Sequence, residues 1–191
     1  MSMTLERALE IFRRTGVMLE GHFKLTSGRH SDRYMQCARL FEHPGDSAVI
    51  CAETAEAFKD KNVDLVAGPA IGGIIMAYEV ARILGVRSVF AERENGVMTL
   101  RRGFAAVPGS RALVVEDVVT TGGSVKEVIE LLRGRGVEVA GVGAVVDRSN
   151  GAVDFGVPFH AVAAMSVESW EADDCPLCRQ GFHMTKPGSR S

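Results

Sequence analysis

Residues 112–124 read ALVVEDVVTTGGS, and this stretch decides the fold. Its first four residues are all apolar, as expected for a central parallel strand that is covered on both faces. Glu116 and Asp117 follow directly, and a Thr/Gly/Ser loop then leads into an amphipathic pattern typical of a helix. A buried strand, a polar loop and a helix in this order are typical of an α/β domain.

The chain on both sides of this stretch alternates between strand and helix patterns, which predicts a mostly parallel central sheet flanked by helices. An N-terminal helix is predicted from Leu5 to a stop at Gly16, with Thr4 as its N-cap. Residues 21–39 lack a clean period and predict loops and short strands in a small lobe. The polar segment 92–108 predicts a long loop, typically a functional lid or a disordered segment. The remaining predicted strands are 63–67, 86–91, 137–146 and 160–164, and the remaining predicted helices are 46–60, 72–84 and about 123–135.

Length and composition limit the class of protein. A chain of 191 residues predicts one domain, 1–191, with a small lobe from roughly the first 40 residues and a tail at 168–191. The net charge of −2 without a basic cluster argues against nucleic acid as a partner. The longest uncharged run, 65–78, is too short for a bilayer, and the N-terminus lacks the layout of a secretion signal. The scattered cysteines predict no disulfide framework, so we expect a reducing, cytoplasmic location.

The loop after the two acids has the chemistry of a phosphate site. Backbone N–H groups and hydroxyls at the positive end of a helix bind phosphate oxygens, and glycine allows their close approach. The acids lie near the carboxyl end of a strand, where open α/β sheets bind ligands, and they can accept hydrogen bonds from sugar hydroxyls. This combination predicts a phosphorylated sugar, while the Walker and Gly-x-Gly-x-x-Gly patterns are both absent. The competing interpretation is that the acids are solvated and that the loop only caps the helix.

The stretch resembles the signature of type I phosphoribosyltransferases that binds 5-phosphoribosyl 1-diphosphate (PRPP). From the N-terminal helix to Arg148, the chain resembles the bacterial orotate phosphoribosyltransferase branch of that family. The resemblance implies the type I phosphoribosyltransferase fold, with the acids at the ribose hydroxyls and the loop around the 5-phosphate. The PRPP-binding residues implied on this stretch are Glu116, Asp117, Val118, Val119, Thr120, Thr121, Gly122, Gly123 and Ser124.

A second match is the stretch GHFKLTSGRHS at 21–31, which is similar to the base-binding hood of the orotate enzymes. The resemblance implies that orotate contacts the hood, the first threonine of the phosphate loop and an arginine after a late strand. The residues implied are Lys24, Tyr34, Thr120 and Arg148. The competing interpretation of Arg148 is a surface arginine.

The turn GPAIGG at 68–73 is similar to the family's pyrophosphate-binding turn, although it also suits a plain tight turn before a helix.

The family pattern often has a lysine in the hood and another in this turn, where this chain has Thr26 and Ile71-Gly72. The family's mobile loop usually bears a lysine and a histidine, and here 91–104 has three arginines instead. The resemblance therefore implies a variant branch in which loop arginines neutralise pyrophosphate, with Arg93 catalytic beside Glu116 and Asp117. Arg101 and Arg102 are implied to bind PRPP, and the competing interpretation pairs the arginines with Glu92 and Glu94.

The resemblance implies transfer of ribose 5-phosphate from PRPP to orotate in pyrimidine biosynthesis. It also implies Mg²⁺ carried by substrate phosphates, without a protein metal cage, and a homodimer. Two alternatives remain open: a phosphoribosyltransferase for a purine or another pyrimidine, and a regulatory protein that binds PRPP without catalysis.

The tail contains one Cys-x-x-Cys, formed by Cys175 and Cys178, with His183 five residues on. These residues supply at most three of the four ligands of a structural zinc site, so packing is favoured over zinc or a redox role. Trp170 is expected to anchor this segment against the core. Surface or core roles are expected for the histidines without metal spacing, His22, His30, His43 and His160.

Overall fold

The computed structural model describes residues 3–25 and 27–186. Thr26 and the polar tail after Lys186 lie outside the described residues. The α-helices of the described residues are α1 (Leu5–Arg14), α2 (Pro44–Phe58), α3 (Gly72–Leu84), α4 (Gly123–Arg133) and α5 (Pro176–Arg179), and a 3-10 helix spans Cys37–Glu42. The strands are β1 (Met18–Lys24), β2 (His30–Met35), β3 (Leu65–Pro69), β4 (Arg87–Glu94), β5 (Val97–Thr99), β6 (Arg111–Val119), β7 (Glu138–Asp147), β8 (Phe159–Ala164) and β9 (Met184–Thr185).

A six-stranded sheet in the order β5-β4-β3-β6-β7-β8 forms the centre, and only β5 runs antiparallel to its neighbour. This confirms the predicted mostly parallel α/β sheet. The apolar run at the start of β6 is fully buried, and its side chains alternate between the two faces. Leu113 and Val115 pack with α1, α2 and α3, whereas Ala112 and Val114 pack with α4. Strand β6 therefore lies between two helical layers. Its C-terminal end is at the end of the sheet where the parallel strands finish.

Several local predictions are confirmed residue by residue. The hydroxyl of Thr4 accepts a hydrogen bond from the backbone N–H of Arg7 at 3.2 Å and caps α1. Helix α3 has the predicted bounds, and Gly85 ends it in the left-handed conformation. None of the helices among residues 3–25 and 27–186 has the length and apolar content that crossing a membrane requires.

A second sheet is built from the N-terminal hairpin and the tail. Strands β1 and β2 pair antiparallel, and β9 lies parallel on the other side of β1. We call this three-stranded sheet the hood. Trp170 also joins it, because Trp170 and His30 exchange two backbone hydrogen bonds of 2.8 Å. Trp170 thus ties the tail to the hood hairpin through its backbone, which is a different anchor from the core contact expected from sequence.

Several predicted boundaries differ from the structure, and two of the differences bear on the site. Strand β6 extends to Val119, so Glu116 and Asp117 lie within the strand, where Glu116 pairs with Ala144 of β7. The predicted loop 92–108 begins with a β-hairpin formed by β4 and β5. Its turn residues Asn95 and Gly96 both have positive φ, as a tight type I′ hairpin turn requires.

Candidate active site

The loop between β6 and α4 forms a small cradle. Gly122 adopts φ +73°, and a Cβ there would lie 2.8 Å from Val153, so a larger residue would be both strained and crowded. Among the described residues no side chain caps the N-terminus of α4, so its first N–H groups are available to an anion. The cradle encloses about 80 Å³. Its lining consists of Glu116, Val118, Val119, Thr120, Thr121, Gly122, Gly123, Ser124 and Val125.

The two acids carry an unfavourable charge in this setting. Burial, followed by repulsion from Asp117, raises the pKa of the Glu116 carboxyl above its ordinary range. Burial likewise raises the pKa of Asp117, against a lowering by its hydrogen bond with Glu116. The Asp117 carboxylate accepts a hydrogen bond from the backbone N–H of Val118 at 2.8 Å. Hydroxyl donors or a cation at this position would offset the repulsion between the acids.

The turn at 68–73 packs directly against the acid pair. A Cβ at Gly72 would lie 2.5 Å from Cγ and Oδ2 of Asp117, and a Cβ at Gly68 would lie 2.5 Å from the carbonyl oxygen of Gly73. The Ala70–Ile71 peptide is cis, and the backbone N–H of Ala70 donates to the carbonyl of Ala91 at 2.7 Å. The glycines therefore let this turn approach the end of β6 closely, and they place it beside the acids.

A larger cavity of about 550 Å³ lies between the hood and the end of the central sheet. The lining consists of Leu25, Ser27, Arg33, Tyr34, Met35, Thr120 and Arg148. Thr120 also lines the phosphate cradle, so the two cavities are neighbours. Arg148 follows β7, and its Nε is buried without a hydrogen-bond partner among the described residues. A buried guanidinium donor without a partner is costly. Because Arg148 lines this cavity, its positive charge favours an anionic ligand there.

Of the seven residues that line this cavity, three were assigned to orotate from the sequence, and Arg33 was not singled out. Tyr34, Thr120 and Arg148, which the resemblance assigns to orotate binding, all line this cavity, whereas Lys24 lies at the end of β1 and is not among the lining residues. Arg33 was not predicted, although its only ion pair among the described residues is a long contact of 3.8 Å with Asp32. Its position in a hood rich in polar residues was the one available signal.

Arg93, Arg101 and Arg102, the loop arginines that the resemblance assigns to catalysis and PRPP binding, all form ion pairs with glutamates. Arg93 donates to the carboxylate of Glu127 on α4 at 2.8 Å. Arg102 pairs with both oxygens of Glu92, at 3.0 and 3.2 Å, and lies over the Phe90 ring. Arg101 pairs with Glu94 at 3.1 Å. In this arrangement the loop arginines are held by glutamates and line neither cavity.

The chain matches the model of the phosphoribosyl transferase domain over residues 39–155, a segment that contains the cradle, the acids and the glycine turn. It is 58% identical over 188 residues to the orotate phosphoribosyltransferase of Caldanaerobacter subterraneus subsp. tengcongensis, covering 98% of this chain and 99% of that one. It is 59% identical to the enzyme of the same name from Pelotomaculum thermopropionicum, over the same shares of both chains.

Among solved structures, the fold is similar to that of orotate phosphoribosyltransferase from Aeropyrum pernix. The TM-score is 0.70 at 27% identity, with 82% of this chain and 92% of that chain covered. The fold and the cradle define a phosphoribosyltransferase of type I. With relatives this close over nearly its whole length, the chain belongs to the orotate phosphoribosyltransferase family.

Proposed function

We propose that the chain transfers the ribose 5-phosphate group from PRPP to N1 of orotate, giving orotidine 5′-monophosphate and pyrophosphate in pyrimidine biosynthesis. The observation that carries this proposal is the pair of adjoining cavities joined at Thr120. One is the cradle between β6 and α4, and the other is lined by Arg148, whose buried Nε has no hydrogen-bond partner among the described residues. Orotate differs from uracil by a carboxylate, which a guanidinium binds well.

The roles of the residues follow from their positions. The 5-phosphate accepts hydrogen bonds from the N–H groups and hydroxyls of 120–124, and the ribose hydroxyls donate to Glu116 and Asp117. The pyrophosphate lies against the backbone of 68–73, since the turn adjoins the acids. Orotate occupies the larger cavity with its carboxylate at Arg148, so that N1 points toward the sugar. Holding both reactants in line removes much of the entropy cost of the bimolecular step.

Charge stabilisation completes the chemistry. The bond from C1 to pyrophosphate breaks as N1 bonds to C1, and the acidic N1 proton of orotate is released to solvent. Positive charge develops on the sugar and negative charge on the leaving group. With the ribose hydroxyls bound to them as proposed, the acids would stabilise the first. The loop arginines can neutralise the second only after leaving Glu92, Glu94 and Glu127.

Mg²⁺ is the proposed metal, and it would arrive with the phosphates of PRPP. The acid pair fits this ion, because two crowded carboxylates with raised pKa values favour a nearby cation. When bound, the ion would offset negative charge on the pyrophosphate and ribose oxygens.

A homodimer in the cytoplasm is proposed as the working form. An exposed apolar stripe supports the dimer: Ile71, Ile75 and Tyr78 are 83%, 50% and 64% exposed and recur at helical spacing on and just before α3. This stripe adjoins the glycine turn, so a second copy packed there would lie beside the site. The four described cysteines are all free, which supports a reducing location.

The deciding experiment measures product formation from PRPP and Mg²⁺ with orotate, in parallel with uracil, hypoxanthine and xanthine. Turnover with orotate alone is expected. Turnover with another base would keep the fold and overturn the acceptor. Tight PRPP binding without turnover on any base would support a regulatory role instead.

A further inference from the structure

A cluster of four side chains with nitrogen and sulfur ligand atoms lies between the hood hairpin and the tail, and none of the four lines either of the two cavities. His22 is on β1, His30 is on β2, and Cys175 and Cys178 flank the start of α5. Their ligand atoms all lie within 4.8 Å of one another, although about 150 residues separate the histidines from the cysteines. His183, the ligand that sequence reasoning placed beside the cysteines, is not part of this cluster.

Four of the six distances among these atoms match a tetrahedral metal site, and all six are within 4.8 Å. His22 Nε2 lies 3.2 Å from His30 Nδ1, 3.5 Å from Cys175 Sγ and 3.6 Å from Cys178 Sγ. His30 Nδ1 lies 3.2 Å from Cys178 Sγ. A tetrahedral zinc ion with bonds of about 2.0 Å to nitrogen and about 2.3 Å to sulfur separates its ligands by roughly 3.3–3.8 Å.

The surroundings of His22 orient it as a metal ligand. Its Nδ1 lies 3.0 Å from the backbone carbonyl of Phe182, and a carbonyl oxygen can only accept. Nδ1 therefore carries the proton, and the lone pair of Nε2 points into the cluster. A ring nitrogen that donates to a backbone carbonyl is the usual second contact of zinc-bound histidines. Phe182 is itself positioned by its N–H, which donates to the carbonyl of Leu177 at 3.1 Å.

Burial and redox state also favour a metal. His22, His30 and Cys175 are buried, with only Cys178 exposed, and both cysteines are free thiols. Two imidazoles and two thiols packed together without a metal would bury polar atoms around weak hydrogen bonds. Mixed nitrogen and sulfur ligands in tetrahedral array are those of Zn²⁺, whereas Mg²⁺ and Ca²⁺ take oxygen.

We propose that His22, His30, Cys175 and Cys178 bind one Zn²⁺ as a structural site that fastens the C-terminal tail to the hood. Four protein ligands leave no open position, so the ion has no catalytic role. The tail has other anchors on the hood hairpin: Trp170 exchanges two backbone hydrogen bonds with His30, and Arg29 donates to Ser169 Oγ at 2.9 Å and to the Ser169 carbonyl at 2.6 Å. The ion would add an anchor at α5, between these contacts and the two-residue strand β9.

The proposed zinc site also bears on the larger cavity. Strand β2 carries His30 at its start and the cavity-lining Tyr34 and Met35 at its end. The ion therefore fixes the strand that shapes one wall of the cavity. Metal removal is expected to loosen this wall and leave the phosphate cradle intact.

The test begins with metal content by mass spectrometry of reduced protein purified without a histidine tag. One zinc per chain is expected, and Co²⁺ in its place should give visible bands of tetrahedral coordination and a near-ultraviolet thiolate charge-transfer band. Cys178→Ser should lose the metal and both spectral features, because the exposed ligand is replaced by a poor one. The matched control is Cys51→Ala, a buried cysteine of α2 outside the cluster, which should keep one zinc.

Stability supplies a second readout that does not depend on activity. Removing zinc from the wild type should lower the unfolding midpoint by roughly 5–10 °C, and Cys178→Ser should show no further loss on treatment with a chelator. Folded wild-type protein that binds neither Zn²⁺ nor Co²⁺ would overturn the proposal. A Cys178→Ser variant that retains one zinc per chain would also contradict this set of ligands. Neither result depends on which base the enzyme accepts.

Discussion

Gly72 and Asp117 are in such close approach that a single added carbon would clash: a Cβ on Gly72 would lie 2.5 Å from the Asp117 carboxylate. The glycine turn and the acid pair are thus parts of one structure. Any side chain at Gly72 must push Asp117 away from the proposed position of the ribose hydroxyls.

Gly72→Ala should therefore lower kcat/KM with PRPP by tenfold or more, about 1.4 kcal/mol, with the fold retained. Steady-state kinetics and circular dichroism measure the two effects. Gly45→Ala is the matched control, because Gly45 lies in the first turn of α2 with open space around its Cβ position. Wild-type kinetics in Gly72→Ala would contradict the role given to this contact.

In the ligand-free protein the acid pair should lower the free energy of unfolding, although the same two carboxylates are proposed to bind PRPP. Because the native pKa of Glu116 is raised, the native state binds more protons than the unfolded chain between the ordinary carboxyl pKa and the raised value. The stability of the ligand-free protein should fall as pH rises through that interval. Glu116→Gln removes the repulsion, so it should raise the free energy of unfolding by about 1 kcal/mol or more at pH 8 and by much less at pH 4.

Denaturant melts of wild type and Glu116→Gln at both pH values test this expectation, and calorimetry should show weakened PRPP binding in the variant. Glu42→Gln, at an exposed acid outside both cavities, serves as the control. A variant less stable than the wild type at pH 8 would mean that the acids are paired favourably in the free protein.

Arg148 should determine affinity for the base. Loss of a charge-assisted hydrogen bond costs about 1.5–3 kcal/mol, so Arg148→Gln should lower kcat/KM for orotate by roughly 10- to 150-fold. The KM for PRPP should change little, because Arg148 lines only the larger cavity. Arg133→Gln, at the exposed end of α4, should leave both constants unchanged. An equal loss for both substrates would indicate general damage to the site.

The sequence predicted elements whose pattern lies within a few neighbouring residues, but not contacts between distant segments of the chain. Helix α3 is marked at both ends by glycines, and the β6 core by four successive apolar residues, so both were predicted closely. The Asn95-Gly96 turn was an equally local signal, and it was missed because the polar segment was interpreted as one loop. His22 and Cys178 could not be paired from sequence, since β9 and the Trp170 bridge bring the tail back to the hood only in the folded chain.

The apolar stripe on α3 should be an interface between two copies. Tyr78→Asp places a charge on this exposed face and should shift the protein toward monomer, as measured by analytical ultracentrifugation. Val107→Asp charges another exposed apolar position away from the stripe and should leave the assembly unchanged. A wild-type chain that sediments as a monomer at micromolar concentration would contradict the dimer.

A substitution at Arg102 tests whether the loop acts in catalysis or is only a surface hairpin. Its two-point ion pair with Glu92 has a close match elsewhere in the chain, since Arg82 contacts both oxygens of Glu79 at 2.9 and 2.7 Å. Exposed pairs of this kind contribute about 0–1 kcal/mol, so neither Arg102→Gln nor Arg82→Gln should shift the unfolding midpoint by more than a few degrees.

The two variants should differ in kinetics. If Arg102 leaves Glu92 to neutralise pyrophosphate, Arg102→Gln should lower kcat by tenfold or more, whereas Arg82→Gln should match the wild type. Pyrophosphate inhibition gives a second measure, because the loss of a cation near the leaving group should weaken product binding as well. Identical kinetics in both variants would assign Arg102 to the hairpin alone, and the charge on the leaving group would then fall to Arg93 or Arg101.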